Sequence, residues 1–303
     1  MAPATVLPEP AAGTRNPAIS RRNLLLVAVG VALGVVYAPT IIWLFGRWTM
    51  SVWHHAHGLF IPPLVAWLVV QELKRHRELP VTGSAWGFAF LVPALGLHVL
   101  DTGIQTQLLS ALSLVIALPG LSLLFLGLPR TRTIAFPLLF TAFALPIPLA
   151  LTEQVHLVLR QVTTAFVTPL LSATGVSVFA QGTTLFLANA TVEIADACSG
   201  FSTLYASMAF AFLLAYFSRS VLRRVLVLAV AAPIAIASNV LRMVILLHVA
   251  VWRGPEIFDT FIHPLSGMLT FAIALPILMW VGSDRPARPA PGAAPPAAER
   301  IET

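Results

Sequence analysis

A chain of 303 residues would ordinarily make about two soluble domains, but 58% of this one is hydrophobic, only 10% is charged, and its mean hydropathy is +0.88. A water-soluble protein carries roughly 25% charged residues, so the solvent that suits this composition is a bilayer. A collagen repeat, a disulfide-stapled scaffold and wholesale disorder are excluded, since Gly is 18 of 303 residues and there is one cysteine. The net charge of +6 comes from basic residues dispersed between apolar runs, which argues membrane orientation and not a nucleic-acid surface.

Residues 1–22 are rich in Pro and Ala, lack an apolar period and read as a disordered cytoplasmic N-terminus. Residues 23–283 read as one transmembrane domain of an all-α polytopic membrane protein. Its eight apolar stretches, each long enough to cross hydrocarbon as a helix, lie at about 23–45, 57–73, 84–100, 108–128, 134–151, 199–217, 225–249 and 262–281. None alternates with period two, which sets aside a transmembrane barrel. Residues 284–303 read as a disordered cytoplasmic tail.

Basic residues orient the spans, because short cytoplasmic segments collect Lys and Arg. With eight alternating helices, 14 of the 18 basic residues fall on one side: Arg15, Arg21, Arg22, Lys74, Arg75, Arg77, Arg130, Arg132, Arg219, Arg223, Arg224, Arg285, Arg288 and Arg300. Arg47, Arg160 and Arg253 fall on the other, and Arg242 lies within a span. Both termini are therefore expected in the cytoplasm, with the chain in the cytoplasmic (inner) membrane. Prolines 93, 119, 146, 148, 233 and 276 fall inside the spans and kink them at most.

Residues 152–198, between spans five and six, form a cap expected on the outer face. The first half reads as an interfacial amphipathic helix, interrupted near Pro169 and closed by Gly175. The second half is β-branched and aromatic, with turns at Gln181-Gly182 and Ala188-Asn189-Ala190, and reads as two or three short strands.

That cap leads directly into Cys198, the only cysteine, at the mouth of span six. Helix N-termini favour thiolate, and the N–H groups from Ser199 and Gly200 onward suit an oxyanion. The bland reading is a small buried hydrophobe. Arg242 costs roughly 2.5–3.5 kcal/mol at the centre of a span and is a functional candidate by default, with snorkelling as the alternative. Asn239, three residues earlier, shares its helical face and is placed to brace the guanidinium. His263 opens the last span, where a cap or interface role is the plain alternative to catalysis. The topology puts thiol, guanidinium and imidazole at one depth, and cysteine peptidases need such a nucleophile, cation and proton carrier.

Other features carry less. His54, His55 and His57 resemble part of a zinc site, but no carboxylate or second ligand cluster accompanies them, so neither metal nor cofactor is assigned. Glu193 and Asp196 precede Cys198 and are candidates to pair with Arg242, solvation being the alternative. Glu256 and Asp259 stand similarly before His263, where a carboxylate can hold a tautomer.

The chain resembles the exosortase/archaeosortase family from roughly His57 to Trp280. The resemblance is carried by HGLFIPPL, AFPLLFTAFALPIPL, QGTTLFLANATVEIADACSG, Asn239 to Arg242, and His263 with Gly267. It implies that Cys198 is the nucleophile, Arg242 the cation for oxyanion or carboxylate, and His263 the general acid and base, with His rather than a second Arg pointing to the bacterial side. The implied partners are secreted proteins ending in a Pro-Glu-Pro motif, a transmembrane helix and a basic tail, in a setting of membrane lipids and without nucleic acid. The implied activity is transpeptidase or protease cleavage of that PEP-CTERM signal at the outer face through a thioacyl-enzyme. The chain's own Pro8-Glu9-Pro10 precedes basic residues and an apolar span, the reverse of that order, and reads as chance. The rival classes are a transporter or docking scaffold whose cysteine only packs, and an inactive family member.

Overall fold

Long runs of Leu, Val, Ala and Phe without water-facing alternation leave the backbone to satisfy itself, and an α-helix does so within one segment. The computed structural model describes residues 21–50, 56–195 and 198–283. Apart from Arg21 and Arg22 at the start of the first helix, both tails lie outside the described residues. The helices are α1 (Arg21–Met50), α2 (His57–Arg75), α3 (Phe88–Ile104), α4 (Leu108–Thr133), α5 (Ala135–Phe140) and α6 (Leu149–Ala173). After a small sheet come α7 (Phe201–Phe217), α8 (Val221–Arg253) and α9 (Ile262–Gly282).

The expected helical membrane architecture is met in part. Among the described residues, five helices are long and apolar enough to cross a membrane: Val27–Thr49, Ala85–Ile104, Leu108–Thr133, Val221–Arg253 and Leu265–Gly282. Phe201–Phe217 and Ala135–Ala144 are apolar but shorter. The stretch expected as a span at 134–151 is broken into α5, a 3-10 turn over Thr141–Ala144 and an irregular passage before α6. Pro146 and Pro148 account for this, since each lacks an N–H and disfavours helix in the residue before it. Gly127, at φ 80° and ψ 173°, kinks α4 near its end.

Close packing uses small residues. A Cβ on Gly87 would run into the carbonyl of Gly120, so α3 and α4 meet there backbone to backbone. Ala211 and Ala215 of α7 and Ala231 of α8 pack with Leu278 of α9, the small-residue contact that lets membrane helices gain dispersion energy at short range.

The cap is a helix and a three-stranded antiparallel sheet, β1 (Val178–Gln181), β2 (Thr184–Leu187) and β3 (Thr191–Glu193), in that spatial order. Both expected turns join its strands. α6 continues through Pro169 instead of stopping near it. It ends as expected at Gly175, φ +85°, where N–H groups of Gly175 and Val176 reach the carbonyls of Ser172 and Leu171 at 3.1 and 3.2 Å in a Schellman arrangement. The sheet rests on the last third of α8: Leu185, Val192 and Ile194 share a buried cluster with Met243 and Leu247, and the Asn189 amide donates to the Val251 carbonyl at 2.8 Å.

The buried face of α6 is mixed. Leu159, Val167 and Leu171 are buried together with Thr152, His156, Thr163 and Thr164, while Leu151, Val155, Val158, Phe166 and Leu170 are exposed beside Glu153, Gln154 and Gln161.

The basic segments gather at one end of the bundle. Arg130 donates to the carbonyls of Leu79 and Arg77, each at 2.9 Å. The Tyr216 hydroxyl donates to buried Glu72 at 2.9 Å, Glu72 also holds Arg75 at 2.9 Å, and the Tyr216 ring stacks on Phe136 at 4.1 Å. Arg223 donates to the Ser283 carbonyl. At the far end, Trp48 donates to the Ala144 carbonyl at 2.8 Å and His57 meets Tyr205 edge-on at 5.1 Å.

Candidate functional site

The far end of the bundle is also where the reactive residues meet. Cys198 follows the sheet and precedes α7, in a tight turn whose Cys198 N–H donates to the Ala195 carbonyl at 2.9 Å. Gly200 then takes φ +85° as the residue before α7. A Cβ there would lie 2.6 Å from Cγ of Asn239, so both backbone conformation and space require glycine.

Asn239 of α8 holds this turn. Its amide donates to the Cys198 carbonyl at 3.1 Å and to Thr163 Oγ1 of α6 at 3.3 Å. In place of the bracing of the guanidinium expected from its position, these bonds hold the main chain at Cys198. Arg242, one turn further along α8 and 7% exposed, donates from Nε to Ser266 Oγ of α9 at 2.8 Å, with its Cζ, Nη1 and Nη2 facing Gly267.

Cys198 is 6% exposed and lies in an apolar cluster with Val167, Ile194 and Val240. Burial pushes its thiol above the ordinary range, and the Arg242 charge pulls it back without cancelling that rise. The thiolate-favouring effect expected of a helix N-terminus is thus opposed here by burial.

His263 is the second residue of α9, and by the 3.6-residue period positions 263, 266 and 267 share one face of that helix. Ser266 and Gly267 are the two positions that meet Arg242. The imidazole of His263, the side chain of Asp259 and the whole of Asp196 lie outside the described residues, as do His54 and His55. Glu193 is exposed on β3 and makes no ion pair among the described residues.

Sequence reading missed three neighbours. His156 of α6, 8% exposed, places Nδ1 3.0 Å from Ser199 Oγ and packs its ring on Phe201 at 4.5 Å. Thr163 and Ser266 complete the polar lining through Asn239 and Arg242. The available signal was the stripe Thr152, His156 and Thr163 at helical spacing, which points to a polar interior once lipid surrounds the helix.

The site thus joins a buried thiol, a neighbouring guanidinium and a polar shell from four elements in a helical protein with five apolar helices long enough to cross a membrane among the described residues. The profile of the transmembrane exosortase family matches residues 48–280, most of the chain, and the protein belongs to that family. No curated protein and no solved structure matches it.

Proposed function

We propose that this exosortase-family protein is a cysteine-dependent peptidase or transpeptidase that removes the C-terminal sorting signal of secreted proteins. The observation that carries this reading is that the only cysteine and Arg242 are buried close enough to interact, beside the three-stranded sheet. The excess of basic residues at the opposite end of the bundle supports an outer-face site in the cytoplasmic membrane.

In this mechanism the substrate's Pro-Glu-Pro-like segment emerges beside Cys198 while its transmembrane helix and basic tail stay in the membrane and cytoplasm. His263 takes the Cys198 proton as sulfur attacks the scissile carbonyl. Arg242 and the N–H groups after Cys198 stabilise the tetrahedral oxyanion. As the C–N bond breaks, His263 returns the proton to the leaving amine, and a thioester to Cys198 remains. An amine or water then attacks that thioester and frees the thiol. Asp196 and Glu193, which precede Cys198 in the sequence, are the candidates to orient the guanidinium or the substrate.

The docking-scaffold reading draws on the apolar surroundings of Cys198. Co-expression of a tagged substrate with wild type and with Cys198→Ala separates the two. Loss of the substrate's C-terminal helix with wild type alone is expected. Equal processing by Cys198→Ala would remove the thiol mechanism.

A further inference from the structure

The 198–200 turn is gripped from two sides. On one side Asn239 binds the Cys198 carbonyl at 3.1 Å. On the other, Ser199 Oγ accepts the Phe201 N–H at 3.3 Å and lies 3.0 Å from His156 Nδ1. That oxygen thus takes the backbone N–H and at the same time shares a hydrogen bond with Nδ1, in which the hydroxyl or the ring N–H donates according to the tautomer. The ring cannot drift, because it is buried and packed on Phe201 at 4.5 Å.

We infer that His156 is a positioning residue: through Ser199 it fixes the turn that carries the Cys198 thiol, so that α6 and α8 jointly aim the nucleophile. This rests on the reading of Cys198 as the nucleophile, but its physical content does not depend on knowing the substrate. A polar, buried imidazole is costly in a membrane helix unless its hydrogen bond is used, and here it is spent on the residue adjacent to the thiol. Groups that orient a reactive residue typically carry 10- to 100-fold of its activity, as hydrogen-bonded partners of metal ligands do.

The role makes a specific demand on chemistry at position 156. His156→Asn keeps a hydrogen-bonding group near Nδ1, whereas His156→Leu keeps bulk and removes it. Because Cys198 is the only cysteine in the chain, N-ethylmaleimide labelling of the full-length protein in detergent reads that thiol alone. His156→Leu and Ser199→Ala should each alter the labelling rate several-fold in the same direction, faster as the turn loosens. The double variant should match the singles, and His156→Asn should stay within about twofold of wild type, the range left when a hydrogen bond is retained. In the processing assay His156→Leu should lower kcat roughly 10- to 100-fold with little change in KM. An unchanged labelling rate in His156→Leu, or a His156→Asn variant as altered as His156→Leu, overturns the inference. If instead Cys198→Ala still processes substrate, the peptidase reading fails by itself, and the labelling result stands independently.

Discussion

At the scale of residues, the pair that matters is Cys198 and Arg242. The thiol is pushed up by burial and pulled down by the guanidinium, so removing the positive charge leaves only the first effect. Arg242→Gln should move the pH midpoint of Cys198 alkylation higher still and slow labelling at fixed pH. Thiolate forms as pH rises through the pKa, so a higher midpoint means less thiolate at every lower pH. A midpoint that falls or stays in place would show that Arg242 does not act on the sulfur. These two residues were legible in the sequence because each is anomalous where it stands: a lone thiol at a strand-to-helix junction and an arginine within an apolar run. Asn239 was legible as a neighbour but not in its role, since sequence spacing fixes which helix face a side chain occupies and not which of two nearby groups it bonds. His156 and Ser266 escaped because nothing about a histidine or a serine on a helix says that its partner lies 43 or 24 residues away.

At the scale of elements, α6 shows why amphipathicity alone misleads in a membrane protein. Its polar and apolar faces were readable, yet their destinations depend on the solvent. The polar stripe faces the protein because Ser199 and Asn239 supply partners for His156 and Thr163. Leu151, Val155, Phe166 and Leu170 are left outside together with Glu153, Gln154 and Gln161, a mixed surface of the kind a helix at a membrane interface carries. In a Cys198→Ala background, a fluorophore attached through Phe166→Cys should be quenched by brominated lipid, and one attached through Gln181→Cys, on an exposed residue of β1, by aqueous iodide. Quenching of both by iodide alone would place α6 in water. The broken passage at 134–151 has a similar lesson: hydropathy registered its length correctly, but composition does not reveal continuity, and Pro146 and Pro148 interrupt the backbone ladder.

At the scale of the whole molecule, two ends with different chemistry follow from one chain. One end ties α2, α4, α7, α8 and α9 together through Glu72, Arg130, Tyr216 and Arg223, and carries most of the dispersed positive charge. The other carries the sheet, the thiol and Arg242. α8 connects them: 33 residues span about 50 Å, more than a hydrocarbon core of about 30 Å, so both ends of this helix reach beyond the apolar layer or the helix tilts strongly. Arg242, 21 residues from its start, then lies about 31 Å along it, where a guanidinium can reach an interface instead of the bilayer centre. Sidedness is therefore decidable with two exposed positions in the Cys198→Ala background. Gln181→Cys should react with a membrane-impermeant maleimide added outside cells whose outer envelope has been made permeable, and Arg224→Cys should react only after the cytoplasmic membrane is opened. The reverse pattern would put the thiol on the cytoplasmic side, where a sorting signal emerging after secretion never passes, and the peptidase reading would lose its substrate along with its orientation.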